Sequence, residues 1–484
     1  MRILNAEALT SHGNLRGRRD VVEILEAGLQ AADPYNNTKK LIRVEGNRLI
    51  VGGADYEPTG SPVTGDAIFD LTETGRILVV GAGKGVQHVA KAIEEALGDR
   101  LTGGHVIAKH GDDLILERIG VTFGAHPVPD EGCVIGCQRI LELLTDLHEN
   151  DLVFTIAANG ISSLLTLPVP GVTLEEVRET TYLMQIDRGA PTGDLNPIRN
   201  HLDQLKGGRI STRLQPATAI HILAIDPGDH DQLMHRNVWL HTLPEGSTFA
   251  QAVAMLKKWD AWEAAPASVR AFLERADRRW ETVKADTFEK MSYRIFGVMP
   301  NSLGVVPTAM KKAAALGYRP IELVRGLGAE ASQAGLVVAS IATTIERCGI
   351  PFEPPCALFT SGELLVTVGQ EKGIGGRNQE YAMSAALRIA GSPNIVVGAV
   401  DTDGTDGPGT QFVEGCEHLP SLAGGVVDGS TYQRACELGI DLRDELRHHN
   451  TTPALCRLDS GVVATHNISL NDLCVTLIMD RTVD

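Results

Sequence analysis

From Arg76 onward the chain repeats one pattern: a short apolar run, a glycine-rich turn, then a stretch with helical apolar spacing. "RILVVGAG" is followed by "QHVAKAIEEAL", which puts Val89, Ile93 and Leu97 on one face. "GGHVIAKH", "GCVIGCQRILELLTDL", "DLVFTIAANG" and "HILAIDPGDH" continue the alternation. Strands that are apolar throughout are buried on both faces, and helices between them make crossovers rather than hairpins. The fold class is therefore α/β, with a parallel, doubly wound sheet.

Two other regions frame this one. "DVVEILEAGLQAA" reads as a helix, and "LIRVEGNRLIVGG" alternates like a hairpin. The segment 246–290 is helical and charged, and all four Trp fall between Trp239 and Trp280; it reads as a helical connector. Alternation then resumes with "PTAMKKAAALGY", "RPIELVRG", "EASQAGLVVASIATTIERCG", the strand "ELLVTVG", "NQEYAMSAALRIAG" and "NIVVGAVDTDG". "SGVVATHNISLNDLCVTLIMD" closes the chain as two paired strands. The expected division is a Rossmann-like domain over 1–245, the connector over 246–290, and a second α/β domain over 291–484. Both sheets are expected to be mainly parallel, with the active site in the inter-domain cleft.

Charge and cysteine usage limit the function classes. A formal net charge of −17 argues against general nucleic-acid binding, though a local basic cleft can still hold an anionic substrate. No run of about 18 apolar residues suggests a membrane span. The N-terminal "MRILNAEALTSHGNLRGRRD" lacks the apolar core of a secretory signal. Eight Cys are scattered, and Cys133 and Cys137 at helical spacing read as buried free thiols. The expected compartment is the cytoplasm.

Several turns carry side chains suited to chemistry. In "GAGKGV", Gly81 and Gly83 begin a dinucleotide fingerprint that Val86 fails to complete, and the loop is too short for a Walker A motif. What remains is a helix N-terminus with Lys84 beside it, either an anion site or a plain glycine corner. "GIGGRNQE" is a second such corner, with Arg377 at the helix start offering a planar fork for carboxylate or phosphate. "DTDGTDGPGT" carries Asp401, Asp403 and Asp406 after a strand, which is not the context of a calcium-binding EF-hand. "AIDPGDH" brings Asp226 and Asp229 to another strand end. In "HPVPDEG", Asp130 reads as a helix N-cap and His126 as a group near the cleft. "NPIRNHLDQLKGGR" places Arg199, His201 and Lys206 together, which reads as a charged helical face.

Taken in order, "GAGK", "HPVPDE", "NPIRNHLDQLKGGR", "GGRNQE", "DTDGTDGP", "GGVVDGST" and the final "NDL" resemble the glycerate 2-kinase family, from about Asp20 to Asp480. The resemblance implies two α/β domains, the second of the MOFRL type. It also implies phosphorylation of D-glycerate on its 2-hydroxyl with ATP and magnesium (Mg2+). The family's key cations fall on Lys84 and Arg377. The substrate or phosphate contacts are expected at Gly83, Asn159, Gly160, Arg199, Lys206, Asn378, Glu380 and His466. Asp226, Asp403 or Asp406 would hold magnesium or orient the hydroxyl. The partner is a small hydroxy acid, with neither nucleic acid nor membrane; a homodimer is left open. Family members sometimes carry the label hydroxypyruvate reductase, which the incomplete dinucleotide fingerprint speaks against.

The chain departs from the family in glycine-rich places. "IAANGISSLL" stands where a Ser-Gly-Gly-Gly-Ser-Ala run is usual, "AIDPGDH" for Ser-Asp-Val-Pro-Gly-Asp-Asp, and "WLHTLPEGSTF" for a Ser-Gly-Pro-Thr turn. "ATHNISLNDL" replaces a run rich in Gly and Thr. Glycine lets backbone N–H groups approach phosphate. Side chains at Asn159, His466 and Asn467 therefore predict a narrower site, a preference for a larger or branched sugar acid over D-glycerate, and weaker ATP binding. A non-kinase isomerase or lyase acting on a sugar acid, or a non-catalytic hydroxy-acid-binding protein, are the competing readings on the same scaffold.

Overall fold

The computed structural model describes residues 1–300, 303–407, 410, 413, 415–468 and 470–480. The chain forms two compact units, Pro34–Asn301 and Met1–Asp33 with Ser302–Asp484. Each contains an α/β sheet, as the alternation predicts.

In the unit Pro34–Asn301, a small antiparallel sheet comes first: β1 (Ile42–Glu45), β2 (Arg48–Val51) and β3 (Ala67–Asp70). The main sheet follows: β4 (Ile77–Ala82), β5 (Gly103–Lys109), β6 (Gly120–Gly124), β7 (Leu152–Ala157), β8 (Thr218–Leu223) and β9 (Tyr293–Gly297). Its order is β6-β5-β4-β7-β8-β9, and every neighbouring pair is parallel. Strands β4 and β7 are buried along their whole length, which is why they carry no polar alternation. The chain steps outward from β4 to β5 and β6, then returns to β7 and continues the other way. The loops leaving β4 and β7 therefore diverge, the arrangement that opens a crevice at the carboxyl ends of a doubly wound sheet.

The second sheet, in the other unit, contains β10 (Arg319–Arg325), β11 (Cys356–Gly362), β12 (Ile395–Asp401), β13 (Gly424–Asp428), β14 (Gly461–Val462) and β15 (Asp472–Ile478). Its order is β10-β11-β15-β12-β13-β14. Only β10 and β11 run parallel; the other four pairings are antiparallel. This sheet is thus mixed, unlike the mainly parallel one expected. The reason is the last strand, which inserts between β11 and β12 instead of pairing with β14. The expected strand "ELLVTVG" is also displaced. "CALFTSG" before it supplies β11, with Cys356–Thr360 buried, whereas Leu365 is exposed and makes one isolated bridge to Glu330.

Two boundaries differ from expectation. The helix Leu15–Ala31 belongs with the second sheet rather than with the Rossmann-like unit. It is held there by the buried ion pair of Arg18 with Asp428 on β13 and by a hydrogen bond from Tyr318 Oη to Asp20 at 2.6 Å. The stretch 246–290 is no connector. Helices Phe249–Lys258 and Ala267–Arg275 bury Phe249, Leu256, Val269 and Phe272 against Val169, Met184, Ile198 and Leu202. An apolar helix face must be covered, and helix Thr192–His201 of the same unit covers it. Among the described residues no helix is long and apolar enough to cross a membrane. Cys133 and Cys137 are buried free thiols, as expected.

Candidate active site

The Lys84 corner lies at the switch point between β4 and β7. Gly83 has φ 131°, and a Cβ there would meet the Ala158 carbonyl oxygen at 2.5 Å, so the two loops press together only because this residue is glycine. The Lys84 N–H donates to the Asn159 carbonyl at 2.8 Å and locks the loops to each other. Gly85, at φ 72°, starts helix Val86–Leu97, whose N-terminus has no side-chain cap. Gly160, at φ 85°, starts the turn Ile161–Leu164, again without a side-chain cap. A Cβ on Gly160 would come within 3.2 Å of His126 Cδ2 and 3.4 Å of Lys84 Cγ. The fold thus gathers Gly83, Lys84, His126, Asn159 and Gly160 at one place. Val86 N–H and His88 N–H are taken by the Gly83 and Gly85 carbonyls, so it is the positive end of the helix with a lysine beside it that favours an anion.

Asp130 is the N-cap of helix Glu131–Leu143, accepting from Cys133 N. His110 Nε2 lies 2.7 Å from its other oxygen. Burial raises the Asp130 pKa, but His110 and the backbone donors of Ala125 and Cys133 hold it below the usual carboxylate range. Replacing Asp130 with alanine should cost about 1 kcal/mol of stability, read from urea unfolding. A loss several times larger would mean the side chain does more than cap.

Arg377 stands at the start of helix Arg377–Arg388 in the other unit. Its fork is already engaged. Nε donates to both oxygens of Asp472 at 2.8 and 3.0 Å, and a terminal nitrogen donates to Asp401 at 2.8 Å. The N–H groups of Asn378 and Gln379 donate to Asp406 at 3.2 and 2.9 Å, so the chain's own carboxylate caps this helix. Gly376 is glycine because a Cβ would lie 2.4 Å from the Asp406 carboxyl carbon. Most of the donors that the sequence reading left for a ligand here hold Asp401, Asp406 and Asp472, while the second terminal nitrogen of Arg377 lies 4.0 Å from Glu363.

Asn378 Nδ2 bridges Asp472 at 2.7 Å and Asp406 at 3.3 Å. Burial opposes the Arg377 charge, but Asp401, Asp472 and Asp406 together keep its pKa above the usual range. Burial pushes Asp406 up to about 6 against the pull of Arg377, and raises Asp472 as well. Glu380 is buried and paired with His449 Nδ1 at 2.6 Å; burial raises its pKa. Neither Asp472 nor His449 was singled out from the sequence. The "NDL" run carried Asp472, but nothing local marked it as the arginine's partner.

The remaining residues divide. Arg199 and Lys206 do not form an exposed charged face; both are buried in the unit Pro34–Asn301. His201 is buried too, between the Pro197 carbonyl and Glu281. Asp229 is an N-cap, accepting from Gln232 N at 3.1 Å, and Asp226 is exposed beside it after β8. His466 is exposed and Asn467 buried, its amide donating to the Leu29 carbonyl at 3.2 Å; Asn467 is therefore not a new ligand donor. Asp403 accepts from Thr405 N at 2.8 Å. Among the described residues no group of three or more His, Cys, Asp or Glu side chains could hold a metal ion. Asp226, Asp403 and Asp406 form no such group, so this set does not fit a resident magnesium.

Known proteins give the same picture from another side. A domain of unknown function, DUF4147, matches residues 20–274, and the MOFRL family matches residues 356–471. The glycerate 2-kinase of Pyrococcus horikoshii is 32% identical over 95% of this chain and 97% of its own length. The D-glycerate 2-kinase of Thermotoga maritima is 33% identical over 84% of this chain and 91% of its own. A crystal structure of glycerate kinase from Thermotoga maritima superposes with a TM-score of 0.72 at 29% identity, covering 95% of this chain and 99% of that one.

Proposed function

Because the chain belongs to the glycerate 2-kinase family, a family of kinase-type transferases, we propose that it transfers the terminal phosphoryl group of ATP to the 2-hydroxyl of D-glycerate or a related hydroxy acid. The observation that carries this reading is the Lys84 corner: a lysine and an uncapped helix N-terminus at the switch point of a doubly wound sheet. Phosphoryl transfer asks little covalent chemistry of a protein and much positioning and charge neutralisation. The Lys84 ammonium, at the N-terminus of helix Val86–Leu97, would face the oxygens on which charge develops. Asn159 and Gly160 would shape the floor, with His126 at its side. As the bond from phosphorus to ADP breaks, the bond to the acceptor oxygen forms and the hydroxyl proton is released.

Magnesium enters, in this reading, with the nucleotide as its phosphate complex, since such ions keep several waters and few protein ligands. Asp226, Asp403 and Asp406 are assigned no metal-binding step. The reductase label is not adopted, because Gly81, Gly83 and Val86 leave the dinucleotide fingerprint incomplete.

The test is a steady-state assay of the purified chain against short hydroxy acids and larger sugar acids, with and without Mg-ATP. ATP-dependent phosphorylation is expected, with kcat/KM for D-glycerate below about 10⁴ M⁻¹s⁻¹ and a larger or branched sugar acid preferred. Turnover of a larger sugar acid alone would shift the acceptor, as the altered loops suggest. Conversion of an acid without ATP would establish the isomerase or lyase alternative.

A further inference from the structure

Helix Thr192–His201 and the segment after it bury an excess of positive charge. Arg199, Lys206 and Arg209 are all buried, with His241 close to them. Most of the donors on Lys206 and Arg209 are used within the chain. Lys206 Nζ donates to Asp203 at 3.0 Å and to Thr166 at 2.7 Å. Arg209 donates to the carbonyls of Asn200, Asp203 and Trp280. His241 stays neutral: burial, then the charges of Lys206, Arg199 and Arg209, hold its pKa well below the usual value.

Arg199 differs. Its exposure is 7%, yet among the described residues it has no carboxylate partner. Its one hydrogen bond runs from a terminal nitrogen to the neutral amide oxygen of Gln185 at 2.9 Å. A guanidinium has five N–H donors, so most of this fork is unused. Burial lowers its pKa to about 10, which still leaves it charged at neutral pH. A buried charge with no counter-charge is costly to the free protein, and a ligand that supplies the counter-charge removes that cost. The position relates to the Lys84 corner. Asn196, one helical turn before Arg199, donates to Ser162 Oγ at 3.3 Å. Ser162 lies in the turn Ile161–Leu164 that starts at Gly160, whose Cβ position abuts Lys84.

We propose that the unused edge of Arg199 receives an oxyanion of the small-molecule substrate, namely the carboxylate of the hydroxy acid. This rests on the reading of the chain as a hydroxy-acid phosphotransferase and names the group that would select the acid. A planar fork suits a carboxylate held by two parallel hydrogen bonds.

The test uses the full chain, Arg199→Met and Arg199→Lys, with D-glycerate alone and ATP alone as probes in calorimetry and thermal shift. Wild type should bind D-glycerate without nucleotide and be stabilised by it. Arg199→Met, free of ligand, should melt no lower than wild type, because it removes an unmatched buried charge. Its affinity for D-glycerate should fall about 10- to 100-fold while its ATP affinity holds. Arg199→Lys should lose most of the acid affinity too. Unchanged acid affinity in both variants would overturn the assignment, as would a loss confined to ATP, which would identify the oxyanion as a phosphate. A ligand-free Arg199→Met that melts below wild type, with Arg199→Lys binding the acid normally, would make the residue structural. If wild type phosphorylates D-glycerate but the variants bind it normally, this inference fails and the kinase reading stands. If wild type binds D-glycerate through Arg199 but never phosphorylates it, the kinase reading fails and the site stands.

Discussion

Replacing Lys84 with alanine should lower turnover about 100-fold or more, the cost of losing one preorganised charge at a transition state, and leave the melting transition in place. Gly83 and Gly85 set the turn of this corner, and the Lys84 N–H to Asn159 carbonyl bond survives any substitution that keeps an amide. What the variant loses is the ammonium beside an uncapped helix N-terminus. The measurement is kcat and KM for acid and Mg-ATP, with thermal melting of the same preparations. Near wild-type turnover would make the corner a structural turn.

The second large effect is on stability. Arg377→Met should cost about 3–5 kcal/mol at neutral pH, the range for removing one partner from a buried ionic network. The substitution leaves Asp401, Asp406 and Asp472, all buried, facing one another without their cation. Arg377→Lys should recover only part of the loss, since one ammonium cannot reproduce a fork that reaches Asp472 and Asp401 together.

The pH dependence has a definite sign. Burial pushes the Asp406 pKa up to about 6 in the folded chain, against 3.8 for an ordinary aspartate, so the folded state holds the proton more tightly. Its favourable contribution is fully present below the lower value and is lost as pH rises through the higher. Without Arg377 the carboxyls of Asp406 and Asp472 shift further up, so the variant's stability should fall more steeply between these values and beyond. Urea midpoints at pH 5 and pH 8 check this. The gap between wild type and Arg377→Met should widen at the higher pH. An equal gap at both would mean that the network's energy is not electrostatic.

Much of the first sheet could be read from the sequence, because β4, β7 and β8 are local apolar runs and their glycine corners are local too. The Lys84 corner was legible for the same reason. The second sheet was harder. Strand β15 pairs with β11 and β12, more than seventy residues away, and no local period records such pairing. Pairing across the sheet also hid the partners of Arg377: Asp472 lies 95 residues away, and Asp401 lies on a different strand, 24 residues on. Helical spacing also misled at Arg199, His201 and Lys206. A charged run normally faces solvent, but here the helices after Thr248 cover one face of Thr192–His201, and Asp203, Glu281 and backbone carbonyls take up most of the charge. Capping was mixed: Asp130 was legible from its place before a helix, whereas Asp406 caps a helix that begins 29 residues earlier in the chain.

The most direct test of the account is phosphorus NMR of the reaction of D-glycerate with Mg-ATP, run side by side for wild type and Lys84→Ala. The account predicts 2-phosphoglycerate and ADP in equal amounts from wild type, and none from the variant over the same interval. It is contradicted if wild type makes no phosphoglycerate, if the phosphate appears on another hydroxyl, or if the variant forms product at the wild-type rate.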